Sequence, residues 1–266
     1  MFSPGNYFDL ERTELAPLFN GLDKVWEVLD RIKPFIQETI RPNLGPLKAR
    51  FPDLVPQTVL LYEGRLVEEG FKLLPGDTTK GRFKVLVEGR EAPGAVVIYG
   101  GVCFPDEMVE LGPGVVIETG AVVKGPTIIG TETEVRQGAY VRGSCLVAGR
   151  CVVGHVTELK NAVFLEEAKA GHFAYCGDSV LGIDVNLGAG TKLANLKITT
   201  SPIVLDHQDR SFRVNRRKFG AILGDGCELG CNTVTSPGTV LGPRSLALPN
   251  TTLRAGIHPR RALFKG

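Results

Sequence analysis

The sequence predicts a mainly β protein, a parallel β-helix of hexapeptide repeats behind a small α+β N-terminal cap. Three observations predict it. Branched aliphatic residues recur at every sixth position from Leu111, and small or β-branched residues recur two positions before each. Glycine supplies 33 of 266 residues while aromatics make up only 7%. That glycine share, about 12%, stands well above the ~7% of ordinary proteins and suits a chain that turns often.

The six-residue step runs Leu111, Ile117, Val123, Ile129, Val135, Val141, Val147, Val153 and Leu159. The positions two earlier are Val109, Val115, Ala121, Thr127, Thr133, Ala139, Cys145, Cys151 and Thr157. Residues two apart in a strand face the same side, so each unit offers one large and one small residue to a shared interior. Three such units close one triangular coil of eighteen residues, stacked on the next at ~4.8 Å. After Leu159 the frame slips twice by one residue, through Phe164, Ala170 and Cys176 to Leu181, Leu187 and Leu193. A non-repetitive segment, about 196–218, reads as an inserted loop. The step then returns at Leu223, Leu229, Thr235, Leu241, Ala247 and Leu253.

Ahead of the repeat, residues 14–41 place Leu18, Leu22, Val25, Leu29, Ile32 and Ile36 at helical spacing, with Pro34 expected to kink or end the helix. Strand-like runs TVLLYEG and RFKVLVEG flank the turn signal PGDTTKG. The expected division is residues 1–95 as an α+β cap closing the first coil and 96–266 as the β-helix. A cap is needed because the end strands of a solenoid are otherwise unpaired.

Composition excludes several classes. Lys+Arg 31 against Asp+Glu 29 gives a net charge of +2, with no long-range pull toward nucleic acid or an anionic membrane. No apolar run spans a bilayer, and the start MFSPGNYFDLER lacks the flank and apolar core of a signal peptide. Six cysteines without a CxxC pair make no disulfide framework and suit a reducing cytoplasm. Cys145, Cys151 and Cys227 fall at small inward positions and Cys176 at a large one, which leaves Cys103 and Cys231 open.

Chemistry gathers in two places. His172 lies in KAGHFAYCGDSVLGIDVNLGAGTKLANLK, between the frame slips, and slips in a regular solenoid hint at a site. Arg142 and Lys160 follow inward residues eighteen apart, so they stack on successive coils of one face, with Lys124 one coil further out. Stacked cations can cradle a phosphate, and as a bare pair they would repel.

The series HFAY, VNLGAGT and LANLK resembles the acetyltransferase half of bifunctional N-acetylglucosamine-1-phosphate uridyltransferase/glucosamine-1-phosphate acetyltransferases and their archaeal sugar-phosphate relatives. The similarity runs over roughly 111–253. It implies a left-handed β-helix, acetyl-CoA as co-substrate and His172 as general base. It also implies substrate contacts from Arg142, Lys160, Tyr175, Asn186, Asn195 and Lys218, and CoA contacts near Ala189 and Cys231, where the family has a serine in place of the cysteine. Backbone N–H groups around Gly188–Ala189 are the implied oxyanion donors, and no metal is expected. Only about 95 residues precede the repeat, so acetyl transfer without nucleotidyl transfer is expected. Asn186 falls near a different corner from the others, and the family's homotrimer would complete the site across a subunit boundary. The expected partners are a small sugar phosphate, acyl-CoA and two further copies of the chain, with no nucleic acid and no membrane.

Three other readings remain. One is a different acyltransferase acting on a nucleotide-linked amino sugar or carrying a longer acyl chain. Another is a metal enzyme like the γ-class carbonic anhydrases, to which His155 and His172 would belong. The third is a non-catalytic sugar-phosphate-binding or assembly module.

Overall fold

The computed structural model describes residues 2–265, and its body is a parallel solenoid from Val96 to Phe264. Strands one coil apart pair in parallel register, as in Thr127↔Cys145 and Val135↔Val153. Three faces result. The first holds Val122–Val123, Tyr140–Val141, Lys192–Leu193 and the opening halves of two long strands, Glu158–Phe164 and Tyr175–Leu181. The second holds Thr127–Ile129, Cys145–Val147, the closing halves of those strands and Ala221–Leu223. The third holds Val152–His155, Lys169–His172, Asn186–Leu187 and Glu228–Leu229.

The predicted large and small positions fill the interior. Leu111, Ile117, Val123, Ile129, Val141 and Leu159 join one continuous core with Ala121, Ala139, Cys145 and Cys151. The small positions favour Thr, Ser and Cys because corner carbonyls need donors. Thr133 Oγ1 donates to the Ala148 carbonyl at 2.8 Å, Thr157 Oγ1 to Ala170 at 3.0 Å, and Ser245 Oγ to Gly242 at 2.7 Å.

The frame slips fall elsewhere than beside His172. Register changes from eighteen to seventeen residues between Val141↔Leu159 and Cys145↔Ala162. The shortened corners sit at Asn161 and Asp178, both with φ of 48°. One residue fewer lets the two long strands run on from the first face into the second. The corner of His172 has the same length as that of His155, and the two residues pair across the ladder.

The N-terminal region divides into two structures, and only one of them closes the first coil. Leu44, Leu47, Val55 and Phe104 join the interior core, and Val59–Tyr62 adds antiparallel to Val96–Ile98. A three-stranded sheet, Phe71–Leu74, Lys84–Val87 and Arg90–Glu91, packs with Leu60, Val97 and Val116. Residues 2–40 instead lie along the second face. There the outward side of the strands carries Leu146, Val163, Val180, Ile222 and Val240, clustered with Phe8, Leu18, Trp26, Leu29, Ile32 and Ile36. An apolar stripe of this size needs cover, and a short amphipathic helix supplies it.

That helix, α1, spans Val28–Thr39, with one-turn 3-10 segments at Ala16–Phe19 and Val25–Glu27 before it. Pro34 stands inside α1 rather than at its end. The buried residues of α1, Val28, Leu29, Ile32 and Ile36, lie on both sides of the proline, so packing holds the helix together past it. The inserted loop forms a hairpin, Ile203–His207 against Arg210–Val214. Its Ile203 and Leu205 lie over Gly238, where a Cβ would stand 2.7 Å from Ile203 Cγ2. Among the described residues, no helix is long and apolar enough to cross a membrane.

Candidate active site

The corner between the third and first faces forms a column. The Phe173 N–H donates to the His155 carbonyl at 2.6 Å, Gly190 to His172 at 3.1 Å, Asn232 to Ala189 at 2.8 Å and Asn250 to Cys231 at 2.8 Å. His172, Ala189 and Cys231 therefore occupy successive coils of one edge. His172 and Cys231 are exposed and Ala189 is half-buried. The Gly188 N–H donates to the Leu229 carbonyl at 2.7 Å, so it is not free to meet an oxyanion. The Ala189 N–H has no backbone acceptor among the described residues.

Beside that edge, the first face carries Tyr175, Asn195, Glu158 and Lys192 around a pocket of about 390 Å³, with Val156, Phe173 and Leu196 as its apolar wall. Gly177 leaves room here. A Cβ on it would lie 2.5 Å from Tyr175 Oη and 2.7 Å from Asn195 Nδ2, so the phenol and the amide meet over a bare backbone. Burial, reinforced by the Glu158 and Asp178 carboxylates, pushes the Tyr175 phenol above its ordinary pKa. It is a neutral hydrogen-bond donor near pH 7.

Arg142 and Lys160 are in register on this face, but they are not a bare pair of cations. Arg142 Nη1 donates to Glu158 Oε1 at 2.8 Å, and that bond raises the guanidinium pKa. Lys160 Nζ donates to Asp178 Oδ2 at 3.3 Å, and Lys124 Nζ to the Tyr140 phenolic oxygen at 2.9 Å. Each cation takes its acceptor from the next coil, so the repulsion expected of the stacked pair is cancelled locally.

Asp178 is the residue that sequence reasoning missed. Its side chain is only 4% exposed. Its carboxylate accepts from Asn195 Nδ2 at 2.6 Å and Asn161 Nδ2 at 3.1 Å, besides Lys160. Arg216, from the inserted segment, reaches within 3.6 Å. The signal for Asp178 was available, because the two frame slips point at the corner of Asn161 and Asp178. Nothing local in the sequence marks Arg216 or Glu158.

Lys218 is exposed and stands next to Phe219, whose N–H donates to the Asn195 carbonyl at 2.8 Å. Asn186 is not brought to the site within one chain. It is exposed on the third face, in register with Lys169 and Glu228. His155 and His172 share no cluster of three or more His, Cys, Asp or Glu side chains among the described residues.

No protein-family profile matches the chain. A bifunctional sugar-1-phosphate nucleotidylyltransferase/acetyltransferase of Sulfurisphaera tokodaii is 30% identical over 159 residues, 53% of this chain and 40% of that protein. A bifunctional protein GlmU of Methanococcus maripaludis is 31% identical over 113 residues, 42% of this chain and 27% of its own. A bifunctional protein GlmU of a Synechococcus species is 26% identical over 247 residues, 93% of this chain and 48% of its own. The chain thus spans less than half the length of each of these relatives. Its homologues are sugar-1-phosphate nucleotidylyltransferase/acetyltransferases of the GlmU type, and its parallel solenoid is the architecture expected from the resemblance to hexapeptide-repeat acetyltransferases.

Proposed function

We propose that this chain is an acetyl-CoA-dependent N-acetyltransferase acting on an amino-sugar phosphate such as glucosamine 1-phosphate. One observation carries the reading. A single edge stacks His172, Ala189 and Cys231 beside a face that gathers Arg142, Lys160, Tyr175 and Asn195. A base, a backbone donor and a phosphate cradle are the parts that acyl transfer to an amine needs.

Neutral His172 accepts a proton from the uncharged sugar amine as its nitrogen attacks the thioester carbonyl. The C–N bond forms, and the oxyanion is met by the Ala189 N–H. Collapse breaks the C–S bond, and the departing CoA sulfur takes the proton from the His172 imidazolium. Arg142 and Lys160 hold the phosphate, exchanging part of their bonding to Glu158 and Asp178 for it. Tyr175, Asn195 and Lys218 orient the sugar, and Cys231 lies against CoA.

The chain is further read as a homotrimer. The N-terminal segment covers the second face, which leaves the first and third to meet a neighbour. A threefold head-to-tail arrangement would lay Asn186 of one subunit toward the first face of the next. The six cysteines are all free thiols, in keeping with a cytoplasmic enzyme. Residues 1–95 then serve as plug and flank to a catalytic solenoid of 96–266.

A longer acyl group is the second reading. It is favoured by Val156 and Phe173, 52% and 53% exposed beside His172. Purified protein should be incubated with acetyl-CoA and longer acyl-CoAs against a panel of amino-sugar phosphates, with products followed by mass. N-acetylation of an amino-sugar 1-phosphate is the expected result. Turnover with longer acyl-CoAs alone moves the assignment to the second reading, and no turnover with any pair overturns both.

A further inference from the structure

We infer that Arg216 is a positioning residue of the phosphate site, a permanent counter-ion that frees Lys160 from Asp178 to bind the sugar phosphate. The inference rests on the phosphate-binding reading of Lys160. It also gives the inserted segment and the N-terminal flank a part in the site.

Asp178 is a buried carboxylate with two cations in reach. Lys160 Nζ lies at 3.3 Å and Arg216 Nη2 at 3.6 Å. The two cations differ in freedom. All three kinds of guanidinium nitrogen of Arg216 are engaged: Nη2 with Asp178, Nη1 with the Asp30 carboxylate of α1, and Nε with the Lys218 carbonyl at 3.1 Å. Its side chain is 16% exposed, whereas Asp30 is 68% exposed and solvated. Lys160 has Asp178 as its one ion-pair partner among the described residues, on a flexible stem.

A phosphate arriving on the first face must draw Lys160 away from Asp178. If Lys160 were the only cation there, its departure would strand a buried charge, which is strongly unfavourable. Arg216 remains behind, together with the Asn161 and Asn195 amides at 3.1 and 2.6 Å. Asp178 therefore stays compensated, Asn195 stays aimed over Gly177, and Lys160 is released at small cost. The same guanidinium fixes the backbone of Lys218, a second cation assigned to the substrate. Arg216 thus joins Lys160, Asn195 and Lys218 to α1 without touching substrate itself.

The test is a double-mutant cycle read by calorimetric binding of glucosamine 1-phosphate and of inorganic phosphate to the full chain, with thermal melts as a fold check. Arg216→Gln should weaken sugar-phosphate binding about 10-fold or more, because Asp178 then holds Lys160 alone. It should weaken binding of unphosphorylated glucosamine much less, since only the phosphate draws on Lys160. Asp178→Asn should bind the phosphate at least as tightly as the parent, since the amide no longer retains Lys160. The pair Asp178→Asn/Arg216→Gln should return to within about threefold of the parent, which a merely structural arginine would not allow. Losses that add in the double variant, an unaffected Arg216→Gln, or a tenfold loss in Asp178→Asn alone would each overturn the inference while leaving the enzymatic reading intact. A parent protein that binds neither phosphate compound would overturn both.

Discussion

The phenolic oxygen of Tyr175 occupies the space where a side chain on Gly177 would begin, 2.5 Å from the ideal Cβ position. Asn195 Nδ2 comes within 2.7 Å of the same point and is fixed there by its 2.6 Å bond to Asp178. Gly177→Ala must displace both, since each lies under 3.0 Å from the added Cβ. Backbone contributes nothing to the penalty, because Gly177 is not among the left-handed glycines. The expected outcome is a loss of 10- to 100-fold in kcat/KM for amine acetylation. The melting point should fall by a few degrees at most, for about 1–3 kcal/mol of overpacking in a chain of this size.

His172→Ala should abolish turnover while leaving the fold intact, since the side chain is exposed. Loss of a general base costs typically 10²–10⁴-fold. His155, paired with His172 one coil away, is the matched control. His155→Ala should have a much smaller effect, and a near-normal kcat in His172→Ala would remove it from the mechanism.

Arg142→Ala should weaken sugar-phosphate binding by about 10- to 100-fold, the worth of a charge-assisted contact, and leave the dephosphorylated sugar unaffected. A bare cation pair would gain stability from the substitution. The Glu158 bond removes that gain, and an ion pair exposed at 42% and 34% contributes only about 0–1 kcal/mol. The melting point without ligand should therefore hold or fall slightly, as a thermal scan beside the calorimetry would register.

Ile32→Ala, in the middle of α1, should destabilise the protein by about 2–5 kcal/mol in denaturant titration, because its side chain is fully buried against the second face. Removing residues 1–40 should do more, baring Leu146, Val163, Val180, Ile222 and Val240 together. Soluble, monodisperse protein after that truncation would contradict a covering role for the segment.

Thiol reactivity should sort the cysteines by burial. Burial pushes the Cys145 and Cys227 thiols up to about 12, and Cys151 and Cys176 are raised further. A thiol at about 12 is ionised in only about one molecule in ten thousand at pH 8, and the thiolate is the reactive form. In native protein at pH 8 an aromatic disulfide reagent should label exposed Cys231 quickly and half-buried Cys103 slowly. The other four should react only in denaturant. Saturating acetyl-CoA should slow the labelling of Cys231 if CoA lies against it, and an unchanged rate would remove Cys231 from the cofactor site.

The six-residue period was enough to assign the solenoid, its interior residues and its inserted segment, because each inward position is decided by neighbours two and six residues away. The column holding His172 and the stacking of Arg142 on Lys160 follow from the same count. What the period leaves open is which charges pair and what covers the outer faces. Ile128, Leu146, Val163, Val180, Ile222 and Val240 form a stripe only after the coils stack, so from sequence alone the flank made by residues 2–40 is indistinguishable from part of an end cap. Asp178 meets Lys160, Asn195 and Arg216 across separations of about 17 to 38 residues, and Arg216 meets Asp30 across 186. Periodicity is a short-range property that fixes where side chains point. Ion pairing in a buried corner is settled by distance in space, which only the stacked coils, the hairpin and α1 together establish.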